Sequence, residues 1–248
     1  MKIYMALLAA LLSFSGVAAA QSLKEIEDKI KSTLGQAYSN VEVVSVSDMP
    51  VEGMYEIVVD SGGILYTNKD VEFFVIGQFL HSTPTEGIVD LTALTRDRLR
   101  LESLAALTED QMVVYPAKGE RKATLTVFTD VDCAYCRKLH AEVPDLNEQG
   151  IQVNYLAFPR SGANSRARYV MDAIWCAGPE KRLEYMDQAK SNQSIPMETC
   201  NTSPVLDQYA LGRMLGVNGT PALLLEDGRM IPGYVPKERL IPMLFSGS

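Results

Sequence analysis

Apolar and polar positions after residue 21 predict a small unit of one helix and four strands. Apolar residues recur every three or four positions from Leu23 to Leu34, so this segment is predicted to be an amphipathic helix that ends at Gly35. Four runs rich in β-branched and aromatic residues follow, separated by turn residues. They are VEVVSV, MYEIVVD, GILYT and VEFFVIGQFLH. Residues 21–82 are therefore predicted to form an antiparallel α+β domain.

The last of these runs, from Val71 to His81, is long and apolar and is predicted to be one strand at the end of its unit. A unit of this size buries little apolar surface alone. The edge of the strand is therefore a candidate for pairing with a second copy of the chain across a two-fold axis, which would form a homodimer. Packing on the following domain is an alternative that the residues alone leave open.

Residues 83–112 are predicted to link this unit to the rest of the chain. The segment STPTEG breaks the strand pattern, and from Thr92 onward charged residues alternate with leucines without Pro or Gly. This pattern is typical of a solvated helix. The linker helix is therefore predicted to act as a rigid spacer.

The pattern of residues 113–248 predicts an α/β domain. KATLTVFTD and IQVNYLAFP are predicted strands on either side of a helix, and a long helical stretch follows from about Ser165 to Leu215. A hairpin that turns at Asp227-Gly228 and a final helix complete the order. Cys133 and Cys136 then lie at the C-terminal end of a central strand, where open α/β sheets carry their sites.

The first 20 residues predict export of the chain. A basic start at Lys2, an apolar run and small residues up to Ala20 have the layout of a secretory signal peptide. A membrane span is the alternative, but the apolar run is only about half of the roughly 20 residues that a span requires. No later segment is apolar for long enough, so the chain is predicted not to be embedded in a membrane. With 31 acidic and 23 basic residues, its net charge of −8 disfavours nucleic acid as a partner.

Export changes the chemistry of the four cysteines, because thiols outside the cytosol meet oxidants and form disulfides. The close spacing of Cys133 and Cys136 makes them one pair and leaves Cys176 and Cys200 for each other. The sequence permits three pairings, of which this one is favoured. Closing the loop between Cys176 and Cys200 contributes about 3 kcal/mol in the entropic model, so this pair is predicted to be structural. A second redox pair is the alternative.

The Cys133–Cys136 pair is predicted to be redox-active. At a helix start, backbone N–H groups stabilise a thiolate and lower the pKa of Cys133 below the roughly 8.5 of free cysteine. Cys136, one turn further on, can attack the Cys133 sulfur of a mixed disulfide. A zinc site is the alternative, with His140 as a third ligand, but the second close pair that zinc favours is missing. No metal and no cofactor are predicted.

The segment VNGTPALLL is predicted to complete the site. Thr220-Pro221 directly precedes a strand, and proline there indicates either an edge or a cis turn. A cis bond would turn the backbone of Thr220 towards the cysteines, where it could pair with an extended substrate peptide.

The sequence CAYC, with VFTD before it and KLH after it, resembles the DsbC/DsbG family of periplasmic disulfide isomerases. YLAFPR, AIWC, YALG, GTPA, EGMYEI and GGILY extend this resemblance over nearly the whole chain after the leader. The resemblance implies a V-shaped homodimer joined through small N-terminal cystatin-like domains. Linker helices would carry two thioredoxin-like domains with a helical insertion, which face an apolar cleft.

The same resemblance implies partners and residue roles. The cleft would bind misfolded or mis-oxidised exported proteins, and a membrane reductase of the DsbD type would keep the active pair reduced. Cys133 would be the nucleophile, Cys136 the resolving thiol, and Thr220 with cis Pro221 the substrate-facing loop. Tyr135, between the two cysteines, is expected to contact substrate as well.

One position departs from the family pattern: Ala134 stands where glycine is usual. Residues between the two cysteines tune the redox poise of the pair. The sequence is therefore consistent with three functions: a disulfide isomerase, a net thiol oxidase that uses the same residues, and a chaperone that does not need Cys133. The predicted dimerisation unit favours the isomerase over the oxidase.

Overall fold

The computed structural model describes residues 23–246, and the predicted signal peptide, residues 1–20, lies outside them. The chain forms two compact units that divide between Thr92 and Ala93. Within the described range, none of the helices is both long and apolar enough to cross a membrane.

The first unit is a helix packed on an antiparallel sheet. Helix α1 covers residues 23–37, so it continues two residues past the predicted end at Gly35. The strands are β1 (Val43–Asp48), β2 (Met54–Val59), β3 (Ile64–Asn68) and β4 (Phe74–Ile76), which lie side by side in chain order. Ile30 and Leu34 of α1 are buried against Ile57 and Val59 of β2, as their spacing predicts.

The prediction of a single strand from Val71 to His81 is wrong. β4 ends at Ile76, and the next strand, β5 (Leu80–Thr83), leaves this sheet and pairs with β6 (Gly87–Asp90). The cause is a contact distant in sequence: the Phe79 N–H donates to the hydroxyl oxygen of Thr92 at 2.7 Å. That hydroxyl is also 2.5 Å from the Tyr66 hydroxyl, so the chain is drawn away from the sheet after β4.

The second unit is a five-stranded sheet covered by helices. Its elements are α2 (Leu91–Ala105), a short 3-10 helix (Glu109–Gln111), β7 (Val113–Tyr115), β8 (Ala123–Thr129), α3 (Ala134–His140), α4 (Val143–Glu148), β9 (Ile151–Ala157), α5 (Arg166–Cys176), α6 (Pro179–Lys190), α7 (Val205–Met214), β10 (Ala222–Leu224), β11 (Met230–Pro232) and α8 (Lys237–Phe245). The strand order is β11-β10-β8-β9-β7, with β8 and β9 parallel and the other pairs antiparallel. The predicted order of strands, hairpin and helices is confirmed, and β8 is the central strand.

Helix α2 is not solvated on all sides. The Arg100 side chain is buried and donates to the carbonyl of Leu215 at 3.3 Å and to that of Gly228 at 3.4 Å. Its charge is paired with Asp97 at 2.6 Å. The C-terminal half of this helix therefore packs on the second unit, whereas the sequence pattern predicted a solvated helix that acts as a rigid spacer.

The helical stretch between β9 and β10 consists of three helices, α5 to α7, and it supports the sheet through buried polar contacts. The Trp175 indole N–H donates to the carbonyl of Gln111 at 2.8 Å, and the side-chain oxygen of Gln208 accepts from Ala157 N–H at 2.8 Å. A disulfide joins Cys176, the last residue of α5, to Cys200 before α7, with their Cα atoms 5.6 Å apart.

Candidate active site

The two remaining cysteines lie where the central strand passes into a helix. β8 ends at Thr129, and Cys133 is the N-cap of α3. Its sulfur accepts a hydrogen bond from the backbone N–H of Cys136 at 3.4 Å. Both are free thiols; Cys133 is 2% exposed and Cys136 is fully buried.

The two thiols have opposite acidities although they are one helical turn apart. Hydrogen bonding from the Cys136 thiol is the main cause that lowers the pKa of Cys133 from 9.0 to about 5. The Cys136 N–H and the Arg160 guanidinium act in the same direction, against the effect of burial. Burial raises the pKa of Cys136 well above its usual range, and its contact with Cys133 adds to this. At neutral pH, Cys133 is a thiolate and Cys136 a protonated thiol.

The Thr220-Pro221 loop faces the nucleophilic sulfur. The peptide bond is cis, and the carbonyl oxygen of Thr220 is 3.2 Å from Cys133 Sγ. Ala222 starts β10 and pairs with Phe128 of β8, which fixes the loop beside the cysteines. β10 lies between β8 and β11, so Pro221 marks a cis turn and not a sheet edge.

Tyr135, between the cysteines, is 63% exposed and forms part of an aromatic surface beside the pair. Its ring stacks on that of Tyr234 with centroids 6.3 Å apart, and the Lys138 ammonium lies 4.6 Å from the Tyr234 ring centroid. The Tyr234 hydroxyl donates to the Glu142 carboxylate. The stacked rings leave an exposed aromatic edge that a peptide chain could contact.

Asp130 and Arg160 organise the segment before the cysteines, and no sequence pattern predicted this pair. Asp130 is 2% exposed, and one of its carboxylate oxygens accepts from both the backbone N–H and the Nε of Arg160, at 3.0 and 3.1 Å. The other oxygen accepts from the Asp132 N–H at 2.7 Å. The carboxylate thereby holds the Arg160 guanidinium near Cys133, where its charge favours the thiolate.

A second group that the sequence did not indicate is Lys190, the last residue of α6. Its side chain is buried, and the ammonium donates to the Thr129 hydroxyl at 2.6 Å and to the Asp130 carbonyl at 3.0 Å. Both acceptors directly precede the Cys133 loop. No sequence signal could have identified this lysine, because its surroundings come from β8, 60 positions away.

Both ring nitrogens of His140 have hydrogen-bonding partners within the domain. Its Nδ1 is 3.2 Å from the Tyr155 hydroxyl, and its Nε2 is 3.1 Å from an Asp187 carboxylate oxygen. Across residues 23–246, no group of three or more His, Cys, Asp or Glu side chains is arranged to hold a metal ion.

A thiolate and a protonated thiol at the start of the helix that follows the central strand of a thioredoxin-like sheet are the groups that disulfide exchange requires, so the protein is a thiol:disulfide oxidoreductase by class. Two family models match it: the N-terminal domain of disulfide bond isomerase protein over residues 17–93, and a thioredoxin-like domain over residues 108–247. The chain belongs to the DsbC family of thiol:disulfide interchange proteins.

Relatives of known activity support the same assignment. The thiol:disulfide interchange protein DsbC of Dickeya dadantii is 37% identical over 94% of this chain and 90% of the relative. DsbC of Escherichia coli K12 is also 37% identical, over 93% of this chain and 90% of its own length. The corresponding protein of Salmonella typhimurium is 39% identical over 91% of this chain and 88% of the relative.

Solved structures share the fold of part of this chain. A disulfide interchange protein from Neisseria gonorrhoeae superposes with a TM-score of 0.50 at 26% identity, covering 56% of this chain and 97% of that one. A linker-deletion mutant of ScsC from Proteus mirabilis gives a TM-score of 0.54 at 18% identity, covering 62% of this chain and 83% of its own. At that level of identity the second match shows the fold alone.

Proposed function

We propose that the protein is a periplasmic protein disulfide isomerase, exported by a signal peptide at residues 1–20, which reshuffles wrong disulfides in exported proteins. One observation carries the proposal: the Cys133 sulfur caps helix α3 and accepts from the Cys136 N–H at 3.4 Å, in a setting that lowers the pKa of Cys133 to about 5 and raises that of Cys136. Because only a thiolate attacks a disulfide, Cys133 is the nucleophile, and Cys136 stays protonated until it resolves a mixed disulfide.

The reaction begins when the Cys133 thiolate attacks one sulfur of a substrate disulfide. A Cys133–substrate disulfide bond forms, the substrate bond breaks, and the second substrate sulfur leaves as a thiolate. That thiolate can attack another disulfide of the same substrate, and a substrate thiolate finally displaces Cys133. If this does not occur, Cys136 displaces the substrate, which leaves reduced while the cysteine pair becomes oxidised.

Three residues beside Cys133 are proposed to bind the substrate chain. Thr220 and cis Pro221 present backbone next to the nucleophile, and the Thr220 carbonyl is already within hydrogen-bonding distance of its sulfur. Backbone groups suit a catalyst that must accept many sequences, because every peptide offers the same partners. Tyr135 adds exposed aromatic surface.

The enzyme is proposed to be a homodimer joined through residues 21–82, with substrate held in a cleft between its catalytic domains. β4 is an edge strand of its sheet, and its Val75 and Ile76 side chains are 54% and 82% exposed. Leu80 and Ile88 on the adjoining β5–β6 hairpin are 54% and 72% exposed. An unpaired apolar edge of this kind is suited to pairing with a second copy.

A membrane reductase of the DsbD type is the proposed source of electrons. An isomerase must present a free thiolate, whereas an oxidase must arrive as a disulfide. The low pKa of Cys133 stabilises the reduced pair, which favours reduction by such an enzyme and equally makes the disulfide form a strong oxidant, so the redox partner decides the function. A thiol oxidase remains the first alternative, because Ala134 stands between the two cysteines, where residues tune the redox poise of the pair. A chaperone is the second alternative, and binding of substrate in the cleft would then be independent of Cys133.

The test is the resting redox state in cells, combined with two single variants. After acid quenching and alkylation, we expect Cys133 and Cys136 to be free and Cys176 and Cys200 to be bonded. Cys133→Ser should abolish reshuffling of a scrambled substrate, and Cys136→Ser should accumulate mixed disulfides. If all four cysteines are bonded with or without the membrane reductase, the protein is an oxidase. If Cys133→Ser retains full activity in refolding, it is a chaperone.

A further inference from the structure

Lys190 is a buried cation with no anionic partner in contact. Its side chain is almost completely buried, and its two hydrogen-bond acceptors, the Thr129 hydroxyl and the Asp130 carbonyl, are neutral. The Asp130 carboxylate accepts from Arg160 and from the Asp132 N–H instead. Among residues 23–246, no carboxylate oxygen lies within 4.0 Å of this ammonium. Burial of an unpaired charge costs several kcal/mol, so such a lysine calls for a functional explanation.

The groups around this ammonium belong mainly to the active site. Thr129 and Asp130 of the β8 end directly precede the Cys133 loop, and the Tyr155 ring of β9 has its centroid 5.6 Å away. From α3, Cys133 and Cys136 act on the charge favourably and Arg137 unfavourably, while Asp130 acts favourably from the end of β8. The nearest acid on α6 itself, Asp187, is occupied by His140 and Tyr115.

The electrostatic coupling between Lys190 and Cys136 is reciprocal. Burial lowers the pKa of Lys190 to about 8, and Cys136 is the strongest of the charges that oppose this. Conversely, the Lys190 charge lowers the pKa of Cys136 against the larger effect of burial. Cys136 forms a thiolate only while it resolves an adduct, so the lysine acts on a transient charge. The Lys190 ammonium is thus a preorganised positive charge, and it stabilises the negative charge on the Cys136 sulfur as that charge develops.

We propose that Lys190 is the positioning residue of the resolving step, and that its buried ammonium stabilises the Cys136 thiolate when Cys136 attacks the Cys133–substrate disulfide. The inference rests on the proposed function of the cysteine pair and adds to it a residue supplied by the helical insertion. In this step Cys136 gives up its proton to solvent, the Cys136–Cys133 bond forms, and the Cys133–substrate bond breaks. The substrate sulfur takes the electron pair and leaves as a thiolate, which is then protonated.

The test uses dithiobis-nitrobenzoate as a chromogenic disulfide with the full-length reduced protein. Attack by Cys133 releases one nitrothiobenzoate at a rate proportional to reagent concentration, and attack by Cys136 releases the second at a rate that is independent of it. In Lys190→Gln and Lys190→Met, we expect the first phase to be unchanged. The second phase should slow at least about threefold at pH 7, because a pKa rise of one unit cuts the thiolate fraction tenfold while it raises the intrinsic nucleophilicity of the thiolate about threefold.

Matched variants separate charge from structure. Lys190→Gln keeps an N–H donor for the Thr129 and Asp130 oxygens but removes the charge, whereas Lys190→Arg keeps both and should retain most of the second-phase rate. The pH profile of the second phase should have a midpoint at least one unit higher in Lys190→Gln than in the wild type. A packing role would not move that midpoint.

Two results would overturn the role of Lys190: a second phase as fast in Lys190→Gln as in the wild type, or a second phase as slow in Lys190→Arg as in Lys190→Gln. If Lys190→Met fails to fold, the rate and pH midpoint of Lys190→Gln decide the question. Absence of the first phase in the wild type would contradict the function proposed for Cys133, and this inference with it. A normal first phase with an unaltered second phase would contradict the role of Lys190 alone.

Discussion

The acidity of Cys133 should make the free energy of unfolding of the reduced protein depend on pH. The substitution Cys133→Ser should remove this dependence. The Cys133 thiol has a pKa of about 5 in the folded chain against 9.0 as its ordinary value. A lowered folded-state pKa stabilises the fold above the unfolded pKa, and this stabilisation is lost as the pH falls through the folded pKa. For Cys133, the loss therefore spans the range from 9.0 down to about 5.

The size of the effect follows from the two ionisation states. At pH 7 the folded thiol is almost fully ionised and the unfolded thiol almost fully protonated, which stabilises the fold by roughly 3 kcal/mol. At pH 5 the same calculation leaves less than about 1 kcal/mol. Cys136 is protonated in both states over this range, because its pKa is raised, and Lys190, with a pKa of about 8, is charged in both. The difference between the wild type and Cys133→Ser over the change from pH 5 to pH 7 therefore isolates Cys133.

The assay is urea unfolding of the wild type and of Cys133→Ser at both pH values, with the Cys133–Cys136 pair reduced and the Cys176–Cys200 bond verified by mass. The wild type should gain about 2 kcal/mol more than the variant between pH 5 and pH 7. The ultraviolet absorbance of the thiolate should have a midpoint near pH 5 in the wild type only. Equal pH dependence in the two proteins, or a midpoint near the value of free cysteine, would refute the explanation of Cys133 acidity.

Two further substitutions test the dimer and the packing of α2. Ile76→Lys at the β4 edge should convert the dimer to monomer in sedimentation velocity. The control Val44→Lys, at a residue of β1 that is 59% exposed, should leave the dimer intact. Dissociation by both substitutions would argue against the β4 edge as the interface. Gly228→Ala should lower the free energy of unfolding by about 1–3 kcal/mol more than Gly162→Ala. Both glycines have positive φ, but only at Gly228 would a Cβ meet a neighbour, Asp97 O at 2.3 Å; equal losses would show that backbone conformation alone sets the cost.

Local sequence signals predicted the parts of the site that are local in structure. Cys133 caps a helix because a β-rich run ends just before it, and the Asp227-Gly228 turn joins the predicted hairpin strands. The environment of the thiols could not be predicted in this way. Arg160 reaches Asp130 across 30 positions, and Lys190 reaches the same segment across 60, with no periodicity to link them.

The error in the first unit has the same origin. The run from Val71 to His81 has the composition of one strand, and nothing within it marks the break after Ile76. Thr92, 13 positions beyond Phe79, supplies the acceptor that redirects the chain. Strand propensity measures how well residues suit a pleated surface, and it does not determine which surface they join.

The helical insertion also limits how far this domain could be shortened by protein engineering. An abbreviated domain without α5 to α7 would lose Gln208, whose side-chain oxygen accepts from the Ala157 N–H at the end of β9. It would also lose Trp175 and the second Gln208 contact, both of which are made to the carbonyl of Gln111. The Ala157 N–H at the end of β9 and the Gln111 carbonyl would then lose these side-chain partners. A shortened catalyst that keeps both backbone groups paired therefore retains α5 and α7.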